Sequence, residues 1–419
     1  MRFVLLFSTF LMTVLLFIDR ASISAAKTDI CKDLDISITQ FGWIMAIFTL
    51  GYALFQTPTG RLADVFGARK VISGIVIAWS VLTSLTGVAW NYTSMLIIRF
   101  LFGAGEAGAY PSLAKVVYNW YPIKERGVVQ GINFSGSRLG AAFAMPLVAW
   151  LIMGIGWRNT FLVFGGFGLL YGILWYLLFR DKPENAGLIG EKEVDYIRKN
   201  RQQAPAVASR SVKFIDLMKS VSMWKLMIQY ICSNFTFYFS ITWMYTYILD
   251  RFQLGVVETG FYVSIPLIGG AIGNWVGGVL VDAIFRKNKW TLSRRIPAAA
   301  GFFLSAIGMI MVTQVTTPGL SVIFMTLAVF GADMTLSPSW AFCIDIGKED
   351  AGFVSGTMNM AGNLGAFVTI IAFPYLFKWT DRYEPFFIIC AVLSILAIVM
   401  WFSLDPKKSI FNESKLKSA

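Results

Sequence analysis

A succession of long apolar stretches restricts the fold of this chain more than any other feature. Twelve stretches of mostly apolar residues cover about 3–26, 42–62, 71–90, 93–117, 127–154, 159–179, 223–249, 259–284, 293–315, 318–346, 352–377 and 385–404. As helices, such stretches of roughly 20 residues cross the hydrocarbon core of a bilayer. Because lipid offers the backbone no hydrogen-bond partners, spanning segments of this kind are helical. The sequence therefore predicts an all-α membrane protein with twelve transmembrane helices.

Composition agrees with this class of protein. Of the 419 residues, 56% are hydrophobic and 14% are charged, whereas soluble domains carry about 25% charged residues. The chain has a net charge of +12 and no histidine. Its basic residues lie mostly between the apolar stretches, which indicates membrane topology rather than nucleic-acid binding. Without histidine, proton chemistry must fall to carboxylates, and we expect neither a metal nor a cofactor.

The charge of the links predicts the orientation. The links "RLADVFGARK", "YPIKER" and "FRKNKWTLSRR" and the tail are basic, whereas "KTDICKDLDIS", after the first stretch, is slightly acidic. Basic links favour the cytoplasmic side, so both termini are predicted to be cytoplasmic, and the short loops favour a bacterial inner membrane. An alternative interpretation of the first stretch, a cleaved signal peptide, fits poorly with its internal Asp19 and Arg20.

The chain is predicted to consist of two related halves. A polar link divides it into an amino-terminal six-helix bundle (1–185), a cytoplasmic loop (186–222) and a carboxy-terminal six-helix bundle (223–419). "GVVQGINFSGSRLGAAF" (127–143) matches "GFVSGTMNMAGNLGAF" (352–367) without a gap, and "GRLADVFGARK" (60–70) is echoed by "GVLVDAIFRKN" (278–288). Internal repeats of this kind are typical of secondary transporters, whose binding site lies near the membrane midplane.

The second link also carries a motif. Its pattern G-x-x-x-D-x-x-G-x-R-K resembles the signature loop of the major facilitator superfamily, and is formed by Gly60, Asp64, Gly67, Arg69 and Lys70. A closer resemblance, to the anion:cation symporter family, rests on "DRAS", "RFLFGAGEAGAYPS", "SPSW" and "MNMAGN" in stretches 1, 4, 10 and 11. That family implies transport of hexuronates, aldonates, sialic acid, glutamate or phosphate.

Charged residues inside the stretches are the first site candidates. The amino-terminal half holds Asp19, Arg20, Arg99, Glu106 and Arg138, and the carboxy-terminal half holds Asp333. A charge at the bilayer centre costs about 2.5–3.5 kcal/mol or more, and such residues usually mark an ion or substrate path. In the first half these residues are three arginines and two carboxylates, so one positive charge is unmatched. An anionic substrate would balance that charge. The alternative is an ion-pair network that only fixes helix packing.

We assign roles to these residues as hypotheses. The planar fork of arginine suits carboxylate, so Arg20 is the first candidate for binding a substrate carboxylate and Arg138 the second. Resemblance to sugar-acid symporters implies that Asp19 and Glu106 carry protons and that Arg99 is the ion partner of Glu106. Galactonate-type members tend to have glutamine and no arginine at Ser137–Arg138, which hints at a substrate with a second acidic group.

Uncharged polar residues would form hydrogen bonds with the hydroxyl groups of such a substrate. Their alternative role is hydrogen bonding between helices. The candidates are Tyr52, Gln56, Ser137, Asn234, Tyr238, Trp340, Asn359 and Asn363. For Asp333 two roles stay open: a structural role, or a role as a second ion site.

The function predicted from these observations is symport of an organic anion, a sugar acid such as a hexuronate, aldonate or aldarate, with protons. We expect a monomer in lipid that works by alternating access. The charges of the loop residues Asp64, Arg69 and Lys70 are expected to hold the two bundles in one conformational state. The alternatives are a sodium-coupled phosphate or organic-anion transporter and an anion exchanger. No nucleophile motif, metal cluster or P-loop is present in the sequence, so an enzyme is not expected.

Overall fold

The computed structural model describes residues 1–187, 189–202 and 213–408, and the regular structure of these residues is helical throughout. Parts of the predicted central loop (188 and 203–212) and the end of the basic tail (409–419) lie outside the described residues. The helices are α1 (Arg2–Ala25), α2 (Lys27–Asp33), α3 (Ile38–Phe66), α4 (Ala68–Gly87), α5 (Tyr92–Glu106), α6 (Ala109–Trp120), α7 (Arg126–Leu178), α8 (Glu191–Asn200), α9 (Phe214–Lys219), α10 (Val221–Thr242), α11 (Met244–Phe252), α12 (Val256–Arg286), α13 (Trp290–Val312), α14 (Pro318–Met334), α15 (Leu336–Gly347), α16 (Ala351–Thr380) and α17 (Glu384–Phe402).

Each predicted stretch coincides with one helix, part of a helix or a pair of consecutive helices. The fourth, seventh and tenth stretches are each divided in two, as α5 and α6, α10 and α11, and α14 and α15. The fifth and sixth are joined in α7, which breaks at Gly156, where φ is 78°. Among the residues that the structure describes, seven helical segments are long and apolar enough to cross a membrane, by length and composition alone. The predicted all-α fold is confirmed.

Local sequence determines where several helices begin and end. Ser37 and Gln40 form a capping box at the start of α3, and Asn91 and Ser94 form another at the start of α5. Such caps satisfy backbone N–H groups that have no partner within the helix. Gly67 separates α3 from α4 with φ at 85°, a left-handed conformation that favours glycine.

The residues group into two compact units. Unit 1 contains the described residues of 1–122, 139–204 and 347–360, and unit 2 those of 123–138, 205–346 and 361–419. Within unit 1, α3 and α5 approach closely because Gly103 lies against the carbonyl oxygen of Phe48, where a Cβ would not fit. Within unit 2, an aromatic core that includes Phe239 and Phe386 fills the space between α10 and α17. The division at 1–185 and 223–419 stays a prediction.

Candidate functional site

Four charged side chains of unit 1 occupy the contact region between α1 and α5. Arg20 Nε donates a hydrogen bond to Glu106 Oε2 at 2.8 Å. Glu106 is completely buried, Arg99 is 1% exposed and Asp19 is 6% exposed, whereas the Arg20 side chain is 15% exposed. Glu106 and Arg99 are the electrostatic neighbours of Asp19. Of the four, Arg20 is therefore the charge that a solute reaches most easily.

Aromatic rings hold the guanidinium of Arg20 in place. It lies over the ring of Tyr52 at 4.2 Å, with Phe17 at 5.1 Å and Phe48 at 5.3 Å. Cations over ring faces are attracted by the ring quadrupole. The predicted binding residue Tyr52 is thus a neighbour of Arg20, and it orients the fork that would bind a carboxylate.

The structure corrects one predicted partnership. We expected Arg99 to be the ion partner of Glu106, but the residue that pairs with Glu106 is Arg20. Arg99 remains an electrostatic neighbour of Glu106, but its guanidinium lies over the rings of Phe102 at 4.6 Å and Phe48 at 5.0 Å, and within the described residues it donates to no carboxylate. The reason is helix geometry: seven residues place two side chains on one face but separate them by roughly 10 Å along the axis.

Some buried polar atoms of unit 1 lack partners. Gln56 is fully buried, and both polar atoms of its amide, together with Glu106 Oε1, have no hydrogen bond among the residues that the structure describes. Buried polar groups are normally paired with protein or water. Unit 1 therefore contains acceptors and donors that a polar solute could satisfy.

In unit 2, Arg138 of α7 and Asp333 of α14 form a bidentate ion pair. Arg138 Nε donates to Asp333 Oδ2 at 2.6 Å, and Arg138 Nη2 donates to Asp333 Oδ1. The guanidinium also lies 3.8 Å from the ring centre of Phe237. The sequence balance of three arginines against two carboxylates was therefore wrong, since Arg138 has an internal partner from the carboxy-terminal half.

Four further candidates of unit 2, Asn234, Tyr238, Trp340 and Asn363, have hydrogen bonds inside that unit. The hydroxyl of Tyr238 donates to Asn363 Oδ1 at 2.8 Å. Trp340 Nε1 donates to the hydroxyl of Tyr230 at 3.0 Å, and Asn234 Nδ2 donates to the carbonyl of Tyr230 at 2.9 Å. The first two contacts join different helices and fit the alternative interhelical role, whereas the Asn234 bond lies within α10. None of these contacts tests substrate binding.

The remaining two candidates, Ser137 and Asn359, are buried. Ser137 Oγ donates to the carbonyl of Phe134, 2.6 Å away on its own helix. Asn359 belongs to unit 1 with the charged cluster, whereas Ser137 belongs to unit 2. A role in substrate binding stays a prediction for both.

The signature loop contacts the start of α16 within unit 1. Asp64 accepts hydrogen bonds from the backbone N–H groups of Gly352 at 3.0 Å and Phe353 at 2.7 Å. The first N–H groups of a helix have no intrahelical partner and attract negative charge. Gly60 lies against the Gly352 carbonyl, where a Cβ would collide. This part of the motif is thus a carboxylate cap that requires close backbone approach.

Two other motif residues, Gly67 and Arg69, contact the end of α7 and Asp181, which follows it. The Arg69 backbone N–H donates to Asp181 Oδ1 at 2.9 Å, and its Nε donates to the carbonyl of Tyr176 at 2.7 Å. Gly67 also lies against the Asp181 carboxylate, where a Cβ would collide. Lys70 is exposed. The conformational role of the loop stays a prediction.

Unit 2 contains a second copy of the cap. Asp282 accepts from the backbone N–H groups of Gly127 and Val128, both at 2.8 Å. Asp282 occupies the place of Asp64 in one sequence repeat, and Gly127 occupies the place of Gly352 in the other. The two repeats are therefore the two sides of one contact, which occurs once in each unit. We did not select Asp282 as a site residue, although the repeat contained the signal.

A buried ion cluster of unit 2 was also missed. Asp345 accepts from Arg126 Nη1 at 2.6 Å, from Arg294 Nε at 2.9 Å and from Trp290 Nε1 at 2.9 Å. Arg126 and Arg294 are completely buried. This cluster was difficult to predict because its members lie at or near the ends of predicted stretches, where charges are common.

The cap at Asp64 predicts a pH dependence of stability. Asp64 lies beyond the predicted span 42–62, and burial raises its pKa from 3.8 to about 7, against the lowering effects of Lys115 and of the Phe353 and Gly352 N–H groups. A carboxyl whose pKa rises on folding contributes stability at low pH that is lost as the pH rises towards 7. Since one pKa unit corresponds to about 1.4 kcal/mol, the loss is at most roughly 4 kcal/mol.

We therefore expect Asp64→Asn to flatten the decline of melting temperature of the detergent-solubilised protein between pH 4 and pH 7. Asn keeps one acceptor oxygen for the helix start but cannot titrate. Asp29→Asn, which removes an exposed carboxylate of α2, is the matched control and should retain the wild-type slope. An unchanged slope in Asp64→Asn would contradict the assignment.

An all-helical membrane chain with paired helix-start caps and buried ion pairs has the features of a secondary transporter. The family model described as "Major Facilitator Superfamily" matches residues 9–370 and 293–417. The chain belongs to this family, and it is a multi-pass membrane transporter rather than an enzyme.

Two relatives and one solved structure extend this assignment. The probable sulfoacetate transporter of Cupriavidus necator is 29% identical, over 94% of this chain and 91% of its own. The probable galactarate/D-glucarate transporter of Escherichia coli K12 is 29% identical, over 96% of this chain and 94% of its own. The proton:xylose symporter bound to 6-bromo-6-deoxy-D-glucose covers 98% of both chains with a TM-score of 0.73 and 16% identity, a likeness that concerns the fold alone.

Proposed function

We propose that the chain is a symporter that takes up a sugar acid, such as a hexuronate, aldonate or aldarate, together with protons. The observation that carries this proposal is the buried pair of Arg20 and Glu106 with Asp19 beside it. The names of two relatives, a galactarate/D-glucarate transporter and a sulfoacetate transporter, support an organic anion as the substrate. We further propose a monomer that works by alternating access in a bacterial inner membrane, with cytoplasmic termini.

In this mechanism Arg20 is shared between two carboxylates. Without substrate, Nε of its guanidinium fork donates a hydrogen bond to Glu106. When a substrate carboxylate takes the fork, Glu106 is left as a charge in a buried environment, and such a group tends to neutralise rather than stay ionised. Proton uptake by Glu106 would thus follow anion binding, which couples the two solutes.

Asp19 and Gln56 complete the proposed site in unit 1. Asp19 adjoins Glu106 and Arg99 electrostatically, so its charge state responds to that of Glu106 and it is a second proton carrier. The unpaired amide of Gln56 can donate to and accept from a substrate hydroxyl. A polyol acid would satisfy this amide, whereas a purely apolar anion would leave it without partners.

The test is uptake of labelled galacturonate, gluconate and glucarate into proteoliposomes with an inward proton gradient. Accumulation that requires the gradient and collapses with a protonophore is the expected result. Uptake that ignores pH but follows a sodium gradient would support the sodium-coupled alternative. One-for-one exchange without accumulation would support an anion exchanger.

A further inference from the structure

We propose that a groove between the start of α1 and the end of α7 binds one anionic phospholipid, with the phosphate on Arg180, an ester carbonyl on Trp175 and an acyl chain along the apolar wall. The groove has a volume of about 360 Å³, which lies within the range of about 300–1,000 Å³ that is typical of small-molecule sites. Its lining residues belong to unit 1. The inference does not depend on which solute is transported.

The groove follows the ends of two segments that are long and apolar enough to span a membrane. These segments are Arg2–Ala25 and Leu147–Leu178, and Arg180 lies two residues beyond the second. Ser8 and Tyr171 line the inner part of the groove, where the Tyr171 hydroxyl donates to the Ser8 carbonyl at 2.9 Å. Nine residues separate Tyr171 from Arg180, which corresponds to roughly 14 Å along a helix. The groove therefore extends from the level of the lipid headgroups into the hydrocarbon region, as a phospholipid does.

Arg180 supplies the positive charge for the phosphate. Its Nη1 donates to the carbonyl oxygens of Leu177 at 2.8 Å and Phe179 at 2.9 Å, which holds the guanidinium at the end of α7. Among the residues that the structure describes, no carboxylate pairs with Arg180, and its Nε and Nη2 donate to none of them. Arg138 uses the same edge, Nε and Nη2, to bind both oxygens of Asp333. Such an edge also matches two oxygens of a phosphate.

Trp175 supplies a second donor in the same groove. It is 4% exposed, and its Nε1 has no hydrogen bond within the described part of the chain. Trp120, which also lines the groove, is satisfied, because its Nε1 donates to the Arg180 carbonyl at 2.9 Å. Trp90 and Trp379, near the ends of other predicted stretches, are 73% and 74% exposed, as is usual for tryptophans that anchor a protein at the membrane surface. Since buried donors are normally paired, Trp175 indicates a ligand with an acceptor oxygen, which the ester carbonyls of a phospholipid provide.

The remaining wall of the groove is apolar and aromatic. The rings of Trp175 and Phe179 stack with their centroids 4.4 Å apart, and Tyr171 stacks on Trp175 at 6.2 Å. Leu5 and Leu11 contribute the side of α1. Burial of a hydrocarbon chain against this wall is favourable, whereas inorganic phosphate would gain nothing from it. Basic pockets between membrane helices bind anionic headgroups, and the combination of charge and apolar wall selects a phospholipid as the occupant.

Binding to the full-length detergent-solubilised protein is measured by native mass spectrometry, which counts the lipids retained at increasing concentrations of phosphatidylglycerol or phosphatidylcholine. We expect the wild type to retain one phosphatidylglycerol at concentrations at which phosphatidylcholine is not retained. Arg180→Gln should lower the affinity for phosphatidylglycerol by about tenfold or more, because hydrogen bonds to a charged group are lost. Lys182→Gln removes an exposed charge of the same segment. It is the matched control and should stay close to the wild type.

Trp175→Phe tests the second contact and keeps an aromatic ring in the wall. The ether-linked analogue of phosphatidylglycerol has no ester carbonyl, so the wild type should bind the ester-linked form about 2- to 10-fold more tightly. Trp175→Phe should bind both forms equally. The melting temperature of each variant without added lipid reports whether it is folded, and Arg180→Lys, which keeps the charge but not the fork, replaces Arg180→Gln if that variant is unfolded.

Three results would overturn the inference. Equal losses in Arg180→Gln and Lys182→Gln would mean that basic residues attract anionic lipid in general, without a site at Arg180. Equal retention of phosphatidylglycerol and phosphatidylcholine by the wild type would remove the role of the phosphate contact in selecting an anionic lipid. Release of the retained lipid by inorganic phosphate alone would show that the apolar wall contributes nothing to binding.

Discussion

Glu106→Gln is expected to abolish proton-driven accumulation of substrate while exchange of substrate across the membrane continues. The glutamine carbonyl oxygen can still accept the hydrogen bond from Arg20 Nε that Glu106 Oε2 accepts at 2.8 Å, so this link between α1 and α5 is kept. What is lost is a fully buried carboxyl, the group that gains and loses the proton in the proposed function. Removal of an essential proton carrier typically costs about 100- to 10,000-fold in rate, and we expect a drop in accumulation of at least the lower value.

The measurement pairs two assays on the same proteoliposomes. Uptake driven by an inward proton gradient reports coupling, and counterflow of labelled substrate against unlabelled internal substrate reports exchange. Glu193→Gln is the matched control, because Glu193 binds the amino terminus and Arg2 with 26% of its side chain exposed. Accumulation that survives in Glu106→Gln at the level of this control would eliminate Glu106 as a coupling residue.

The helices were predictable because the bilayer imposes a simple rule on the sequence. A spanning helix must be apolar over roughly 20 residues, and this length can be read without knowledge of partners. Breaks inside the stretches were not predictable in the same way. The division of α14 from α15 at Thr335 is marked by no strong local signal.

Pairing between charges was the weakest part of the prediction. Asp333 lies 195 residues from Arg138, and no local pattern connects them, so one arginine of the first half seemed unmatched. Arg99 and Glu106 share a helix face, but contact depends on axial distance as well as on the face. The caps of Asp64 and Asp282 could be inferred more readily, because the internal repeats displayed both the carboxylates and the glycine-containing helix starts.

Arg20→Lys is expected to lower the efficiency of sugar-acid uptake by about 100-fold, since bidentate recognition is lost although the charge remains. In the structure Nε of Arg20 is engaged by Glu106 while the guanidinium plane lies 4.2 Å from the ring centre of Tyr52. A lysine ammonium is a point charge, and it cannot offer a substrate carboxylate two parallel hydrogen bonds from one plane. Arg20 is also the most exposed charge of its cluster, with 15% of the side chain accessible, so the loss should appear mainly in KM.

Initial rates over a range of substrate concentrations, with a saturating inward proton gradient, separate KM from kcat for Arg20→Lys. Arg201→Lys is the matched control, because Arg201 pairs with Glu184 at 2.7 Å in the polar segment after α7, and exposed pairs of this kind contribute little. A wild-type KM in Arg20→Lys would show that the substrate carboxylate binds elsewhere.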